Sequence, residues 1–259
     1  MNDCLLRAEG VEKFFGGLRA VDGLDFTVRE GQVKSFIGPN GAGKTTLFNL
    51  LTGIFPPTRG AFEFLGRPLK GLKPHVIACL GISRTFQNLE LFGNMTALEN
   101  VMLGRHSRTR AGIFSTGLRL PGMRREEQAI RAAALEELRF MDLEERAPLA
   151  ATSLPLGEQR LLEISRALAT QPKLLLLDEP AAGLNIRETE KLSETILRIR
   201  ARGITVMLVE HDMSLVMQIS DEVLVLNYGR KIAEGPPREI QKNPEVIAAY
   251  LGEEGNGDA

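Results

Sequence analysis

The chain has 259 residues, of which 43% are hydrophobic and 25% are charged, and its formal net charge is −1 at pH 7. This is the composition of an ordinary globular protein, and the length allows a full core in one domain or two lobes. A general nucleic-acid-binding protein would carry a basic excess, so the balanced charge argues against that class. The two cysteines are too few for a disulfide framework and favour a reducing cytoplasm. No apolar run approaches the ~20 residues that span a bilayer, so we expect work at a membrane to be done through partners.

Short strands separated by glycine-rich turns are predicted for the first 70 residues. They are expected at Leu5–Phe14, Leu18–Val28, Gln32–Gly38 and Ala61–Leu69. One helix is expected between the third and fourth strands, because apolar residues have helical spacing there. This order predicts an antiparallel strand layer beside the beginning of an α/β core.

A complete phosphate-binding pattern, G-x-x-x-x-G-K-[ST], lies between the third strand and the helix. Its residues are Gly38, Pro39, Asn40, Gly41, Ala42, Gly43, Lys44 and Thr45, and Thr46 follows them. The glycines allow successive backbone N–H groups to surround the phosphates of a nucleotide at a helix N-terminus, where anions are favoured. Lys44 would contact the β- and γ-phosphates, and the Thr45 hydroxyl would bind Mg²⁺. The spacing therefore predicts a nucleotide site with a magnesium ion.

The rest of the chain divides into a helical part and a second α/β part. Residues 88–170 are predicted to be mostly helical, with one helix at Arg124–Met141. Strands and helices then alternate along residues 173–228, which predicts a parallel sheet with right-handed crossovers. The expected elements are a strand at Lys173–Leu177, a helix at 187–202, a strand at Ile204–Val209, a short helix, and a strand at Glu222–Leu226. The core is thus expected to be split by a helical insertion.

Two adjacent carboxylates, Asp178 and Glu179, follow four leucines that predict a strand buried on both faces. Open α/β sheets bind ligands at the carboxyl ends of their strands. Asp178 could hold Mg²⁺, directly or through water, and Glu179 could polarise a water molecule for attack on the γ-phosphate. A strand that ends in an ordinary helix cap is the alternative, which the phosphate-binding pattern makes less favourable.

With these two motifs, the chain resembles the ATPase subunits of ATP-binding cassette (ABC) transporters over nearly its whole length. Gln87, in the run Arg84-Thr85-Phe86-Gln87-Asn88, resembles the family's Q-loop glutamine, which contacts Mg²⁺ and the attacking water and senses the permease. His211 resembles the switch histidine, and the run Ala181-Ala182-Gly183-Leu184-Asn185 resembles the D-loop that joins two ATPase subunits. Phe15 resembles the aromatic residue that stacks on adenine, although Phe14 beside it leaves this assignment open.

The resemblance implies an α/β fold that forms a single ATP-binding domain over residues 1–259. Residues 5–87 and 171–235, approximately, would form an antiparallel β subdomain and a RecA-like, mostly parallel core sheet flanked by helices. Residues 88–170 would form the inserted helical subdomain, and residues 236–259 the C-terminal helices and tail. ATP and Mg²⁺ are the implied cofactors.

The signature segment of the family, usually Leu-Ser-Gly-Gly-Gln, is altered in this chain. It aligns with residues Leu154-Pro155-Leu156-Gly157-Glu158, of which only Leu154 and Gly157 match. In the family this segment begins a helix and binds the γ-phosphate of the ATP on the opposite subunit, so Gly157 and Glu158 are candidate nucleotide contacts. Pro155 supplies neither a hydroxyl nor an N–H donor, and we hypothesise that it weakens this contact. Proline is also common near helix starts, so a purely stabilising role is the alternative.

Three further segments resemble the LivG-type ATPases of branched-chain amino acid importers. They are residues 91–106, 178–185 and 209–213. The resemblance implies two membrane permease subunits, a second and different ATPase chain, and an extracytoplasmic solute-binding protein as an indirect partner. It places the chain at the cytoplasmic face of the inner membrane, with no nucleic-acid partner.

Other functions stay open at this point. Urea and amide importers and the lipopolysaccharide-export ATPase have related sequences. Soluble ABC ATPases and P-loop kinases belong to other classes, but the former usually have two cassettes or a coiled-coil insertion, and the latter would not need Gln87 and His211 in this order. Six arginines and no acidic residue lie within residues 105–125, which indicates either a solvated loop or a surface for a permease or anionic lipid.

Overall fold

The computed structural model describes residues 3–105 and 121–254, and its side chains are described for 3–105 and 125–250. The strands are β1 (Cys4–Phe15), β2 (Leu18–Arg29), β3 (Val33–Ile37), β4 (Arg59–Phe64), β5 (Arg67–Pro68), β6 (Ile82–Arg84), β7 (Leu174–Asp178), β8 (Thr205–Val209), β9 (Glu222–Asn227) and β10 (Arg230–Gly235). The helices are α1 (Lys44–Leu51), α2 (Pro74–Leu80), α3 (Ala97–Arg105), α4 (Pro121–Phe140), α5 (Leu156–Leu168), α6 (Ile186–Ala201), α7 (Met213–Ile219), α8 (Pro237–Ile240) and α9 (Pro244–Glu254).

Two sheets organise these elements. One is antiparallel, with the order β2-β1-β4-β5, and the other has the order β10-β9-β3-β8-β7-β6. In the second sheet all neighbouring strands are parallel except β10, which pairs antiparallel with β9. Strands β3, β7 and β8 are buried along their whole length, as expected for strands covered on both faces. The predicted α/β fold with its two kinds of sheet is confirmed.

The apolar core has two large parts, one on each face of the parallel sheet. The part between the two sheets surrounds α1 and contains the edge-to-face ring contacts of Phe36 with Phe26 and Phe48. The part on the other face joins residues from α3, α4, α5, α6 and α7. Because α3, α4 and α5 occur between β6 and β7 in the chain, a helical insertion does separate the strands of the parallel sheet.

Several predicted boundaries were wrong. The single strand expected at Ala61–Leu69 is two strands, β4 and β5, because Leu65 and Gly66 have positive φ values of 52° and 72° and form a hairpin turn. Helix α2 and strands β6 and β10 were not predicted at all. Strand β6 has three residues, too few for a periodic pattern. Most of the arginine-rich segment 105–125 lies outside the described residues, so its two interpretations, a solvated loop or a surface for a permease or anionic lipid, both stay predictions.

No helix within residues 3–105 or 121–254 combines the length and the apolar character needed to cross a membrane. The longest of them, α4, has many charged residues.

Candidate active site

The phosphate-binding loop connects the buried strand β3 to α1, as the sequence predicted. Gly38, Gly41 and Gly43 have φ values of 148°, 77° and 102°, which side chains rarely allow. A Cβ atom at Gly38 would lie 2.0 Å from the carbonyl oxygen of Leu226. The loop therefore needs glycine at this position both for its backbone conformation and for its close approach to β9.

The Lys44 side chain is folded back into this loop. Lys44 is 5% exposed, and its ammonium group donates hydrogen bonds to the carbonyl oxygens of Gly38 and of Pro39, the latter at 2.9 Å. Asn40, Gly41 and Thr45 are exposed on the loop, whereas Thr46 is half-buried. A positive charge and the first N–H groups of α1 thus lie together, which favours an anion at this place.

Asp178 is the last residue of β7 and is 1% exposed. Its Oδ2 accepts a hydrogen bond of 2.6 Å from Nη2 of Arg84, at the end of β6. Burial raises the pKa of Asp178 above its ordinary value, although the hydrogen bond and charge of Arg84 oppose the rise. Within the described residues, its second oxygen, Oδ1, is buried without a hydrogen-bond partner. One carboxylate oxygen therefore remains for another electropositive group.

Glu179 connects the other two predicted catalytic residues. Its Oε2 accepts a hydrogen bond of 2.8 Å from the side-chain amide of Gln87, and its Oε1 lies 2.8 Å from Nε2 of His211. The backbone of Glu179 has a φ of 49° and its N–H binds the carbonyl oxygen of Val209. A left-handed glutamate costs about 1–3 kcal/mol and is typical of functional sites. The structure thus brings Gln87, Glu179 and His211 together although they are far apart in the chain.

Glu210 holds the segments on either side of this group. It is 3% exposed, and its carboxylate accepts hydrogen bonds from the N–H groups of Ala181, at 2.7 Å, and His211, at 2.9 Å. Burial raises its pKa, and the backbone N–H groups oppose the rise. The sequence reasoning gave Glu210 no role. It follows the buried strand β8 directly, as Glu179 follows β7, and this position is the signal that could have identified it.

The altered signature segment begins α5. Pro155 is the N-cap residue, and Gly157 lies where a Cβ atom would be 2.7 Å from the Glu188 side chain of α6. The carboxylate of Glu158 accepts two hydrogen bonds from the Arg146 guanidinium, at 2.9 and 3.2 Å. Glu158 is thus paired with Arg146 of the same chain. The sequence predicted a contact between Glu158 and a nucleotide and did not predict this ion pair.

Phe15 is 42% exposed at the end of β1, and its ring contacts Phe55 edge to face, with centroids 5.5 Å apart. The ammonium group of Lys13 lies 5.1 Å from the Phe15 ring centroid. Phe14 is less exposed and has Arg19 over its ring. The more exposed ring is the better surface for a planar base, so the geometry favours Phe15 over Phe14.

Comparison with known proteins identifies a family for this geometry. The sequence profile of the ABC transporter family matches residues 21–182, and that of the branched-chain amino acid ATP-binding cassette transporter matches residues 230–256. The high-affinity branched-chain amino acid transport ATP-binding protein BraF of Pseudomonas aeruginosa is 46% identical over 98% of this chain and 100% of its own length. LivG of Escherichia coli K12, described in the same words, is 45% identical with the same coverage. The crystal structure of a nucleotide-free ATP-binding cassette from an ABC transporter covers 95% of this chain and 98% of that chain, with a TM-score of 0.84 and 32% identity.

The chain belongs to the ABC transporter ATP-binding family. As an ABC ATPase it binds and hydrolyses a nucleotide, and ATPases of this family pair and work with membrane permease subunits.

In this ABC ATPase, the predicted phosphate, metal and catalytic residues gather at one edge of the parallel sheet. The reason is that β3, β6, β7 and β8 run in the same direction, so the residues after their carboxyl ends meet. Arg84 is a site residue that sequence reasoning missed. No local pattern in the sequence indicated this role for Arg84, because its partner Asp178 lies 94 positions later, in another strand.

Proposed function

We propose that this ABC ATPase hydrolyses ATP to drive uptake of leucine, isoleucine and valine through a membrane permease. The ATPase part rests on one observation above all: Glu179 lies between Gln87 and His211, and the charges of Glu179 and of Lys44 in the phosphate-binding loop both act on the neighbouring Asp178. The solute rests on likeness to BraF and LivG over 98% of the chain and on the profile match at residues 230–256.

We propose that the loop Gly38–Thr45 binds the phosphates of ATP, with Thr46 next to it. Lys44 would exchange its hydrogen bonds to loop carbonyl oxygens for contacts with the β- and γ-phosphates, because those oxygens carry more charge. Phe15 would stack on the adenine ring. Positioning and charge neutralisation are the main requirements of phosphoryl transfer, and this loop supplies both.

The residues present fit a magnesium ion. Oδ1 of Asp178 is a buried oxygen that has no hydrogen-bond partner in the part of the chain that the structure describes. Thr45 is exposed on the loop, and the Gln87 side chain has an amide oxygen. Oxygen ligands suit Mg²⁺, which usually takes only one or two carboxylates and obtains the rest from phosphates and water. We propose that Thr45, Gln87 and Asp178 hold the ion, which when bound would neutralise charge on the phosphate oxygens.

Glu179 is the proposed general base. Its carboxylate would accept a proton from a water molecule while the water oxygen bonds to the γ-phosphorus and the bond to the β,γ-bridging oxygen breaks, releasing ADP. Gln87 and His211 each bind one oxygen of this carboxylate, so they fix its orientation before the water arrives. Gly157 and Glu158 would approach the ATP of the opposite subunit.

We propose that the chain pairs with a second, different ATPase and binds two membrane permease subunits at the cytoplasmic face of the inner membrane. A solute-binding protein outside the membrane would be an indirect partner. A cavity of 790 Å³ next to the Gln87 segment is lined by the exposed rings of Phe86 and Phe92 and by Ile54, and we propose that a permease contacts the chain here. The near-neutral charge supports the expectation that nucleic acid is not a partner.

The first experiment is affinity purification of the full-length chain from solubilised native membranes, followed by mass spectrometry. Co-purification of two permeases and a different ATPase, together with loss of leucine, isoleucine and valine uptake in a Glu179→Gln strain, is the expected result. If the Glu179→Gln strain kept its uptake of these amino acids and lost its uptake of urea or amides, the assignment of the solute would be wrong. Export permeases, or no membrane partner, would overturn the importer assignment.

The same Glu179→Gln protein tests the chemistry. We expect it to bind ATP normally and to release phosphate at least about 100-fold more slowly, since a general base contributes about 10²–10⁴-fold. Phosphate release at the normal rate would remove Glu179 from this role.

A further inference from the structure

Three charged side chains recur at every third position along α5: Arg160, Glu163 and Arg166. This spacing places them on one side of the helix. Arg160 and Glu163 are 7% and 2% exposed and lie 3.6 Å apart as an ion pair. All three side chains contact the backbone of residues 86–90, the segment that contains Gln87.

The contacts with this segment involve its peptide groups. Arg160 donates to the carbonyl oxygen of Gln87 at 2.9 Å and to that of Phe86 at 3.4 Å. Glu163 accepts a hydrogen bond from the N–H of Phe86 at 3.3 Å, and Arg166 donates to the carbonyl oxygen of Glu90. The segment is therefore attached to α5 through its backbone, which leaves the Gln87 side chain available to bind Glu179.

Charged groups are costly to bury, and a buried pair is weak evidence for a role in stability. Here both charges also satisfy peptide groups of a segment that has no regular secondary structure of its own. Hydrogen bonds to charged groups are stronger than those between neutral groups. The pair thus connects α5 to Gln87 more firmly than apolar packing would.

We propose that Arg160 and Glu163 are positioning residues that make α5 and the Gln87 segment one rigid unit. The inference rests on the proposed function, in which the N-terminus of α5 approaches the ATP of the opposite subunit. When α5 of one subunit contacts the ATP bound by the opposite subunit, it sets the position of Gln87 in its own subunit. Gln87 in turn orients Glu179 of that same subunit. Occupancy of one nucleotide site is in this way communicated to the catalytic base of the other.

Steady-state ATP hydrolysis by the full-length chain tests this. Glu163→Leu removes the acceptor of the Phe86 N–H, and Arg160→Met removes the donor to the carbonyl oxygens of Phe86 and Gln87. In each variant we expect kcat to fall by about tenfold or more while KM for MgATP changes less than ~2-fold, because the phosphate-binding loop is untouched. Glu163→Gln keeps an oxygen that can accept from Phe86 N–H and should recover most of kcat. Ser165→Ala is the matched control on the same helix, since its buried hydroxyl binds only the α5 backbone at Leu161 in the described contacts.

A double-mutant cycle with Gln87→Ala separates positioning from general destabilisation. If Glu163 acts through Gln87, the double variant should be no slower than Gln87→Ala alone. Multiplicative losses of kcat, or an unchanged kcat in Glu163→Leu, would overturn the inference. If Glu163→Leu or Arg160→Met misfolds, hydrogen exchange of the 84–92 peptide is measured in the other of the two variants: we expect its ATP-dependent protection to be lost, and protection equal to wild type would contradict the role. Failure of the proposed function would give a different result, because the unmodified chain would then not hydrolyse ATP at all.

Discussion

Nη2 of Arg84 lies 2.6 Å from Oδ2 of Asp178, and the two side chains are 6% and 1% exposed. The guanidinium also donates to the side-chain oxygen of Asn49 on α1, and its Cζ lies 5.6 Å from the Phe48 ring centroid and 5.1 Å from that of Phe86. Arg84 thus joins β6, β7 and α1 and supplies positive charge to the carboxylate that we propose binds Mg²⁺. Its removal should leave the Asp178 carboxylate buried without the cation that is hydrogen-bonded to it.

We predict that Arg84→Met lowers the free energy of unfolding by about 3–5 kcal/mol, because breaking a buried pair leaves an uncompensated charge. Urea unfolding followed by circular dichroism measures this. Adding Asp178→Asn should recover part of the loss, since the buried carboxylate that Arg84 neutralised is then absent. Arg7→Met, which removes an exposed ion pair with Glu9, is the control and should change little. A loss in Arg84→Met no larger than in this control would show that the pair is unimportant for stability.

Gly38 and Gly41 differ in a way that isolates the effect of close packing. Both have positive φ, but a Cβ atom at Gly38 would lie 2.0 Å from Leu226 O, whereas at Gly41 nothing described lies within 4 Å. We expect Gly41→Ala to cost about 1–2 kcal/mol from backbone strain, and Gly38→Ala to cost at least about 1 kcal/mol more because β9 must shift. Equal midpoints of thermal unfolding for the two variants would contradict this account.

Pro155 tests the altered signature segment. We predict that Pro155→Ser strengthens ATP-driven dimerisation, because serine restores a hydroxyl and an N–H donor at the N-cap of α5. Size-exclusion chromatography with MgATP, in a Glu179→Gln background that keeps ATP intact, measures it. Pro155→Ala restores only the N–H and is the control, with a smaller gain expected. Unchanged dimerisation in Pro155→Ser would leave Pro155 with a stabilising role at the helix start.

Glu163 predicts a pH dependence of stability. Burial raises its pKa above the ordinary value, although the Phe86 N–H and the charge of Arg160 oppose the rise. Between the unfolded and the raised folded pKa, the native state holds more protons, so the free energy of unfolding falls as pH rises through this window. Glu163→Gln should therefore lose less stability than wild type as pH increases from the ordinary glutamate range towards neutral. Asp178 and Glu210, whose pKa values burial also raises, should leave a residual slope. Identical slopes in urea unfolding series would contradict the prediction.

Local patterns were sufficient to predict the elements that form from neighbours in the chain. The loop Gly38–Thr45 and its helix follow from glycine spacing, and β7 follows from four consecutive leucines. The same approach failed where local signals are short or mixed. The turn at Leu65 needs a left-handed leucine, which no composition rule favours, and the three-residue strand β6 exists because it pairs with β7.

The sequence by itself determined the phosphate-binding loop, the family resemblance and the chemical types of Gln87, Asp178, Glu179 and His211. Only the tertiary structure decided which of these side chains touch one another. The strand order β3-β8-β7-β6 differs from the order of the chain, so residues 92 positions apart, Gln87 and Glu179, share a hydrogen bond. The partners Arg84 for Asp178 and Arg146 for Glu158 were likewise invisible in the sequence, because pairing of charges depends on distances that folding alone creates.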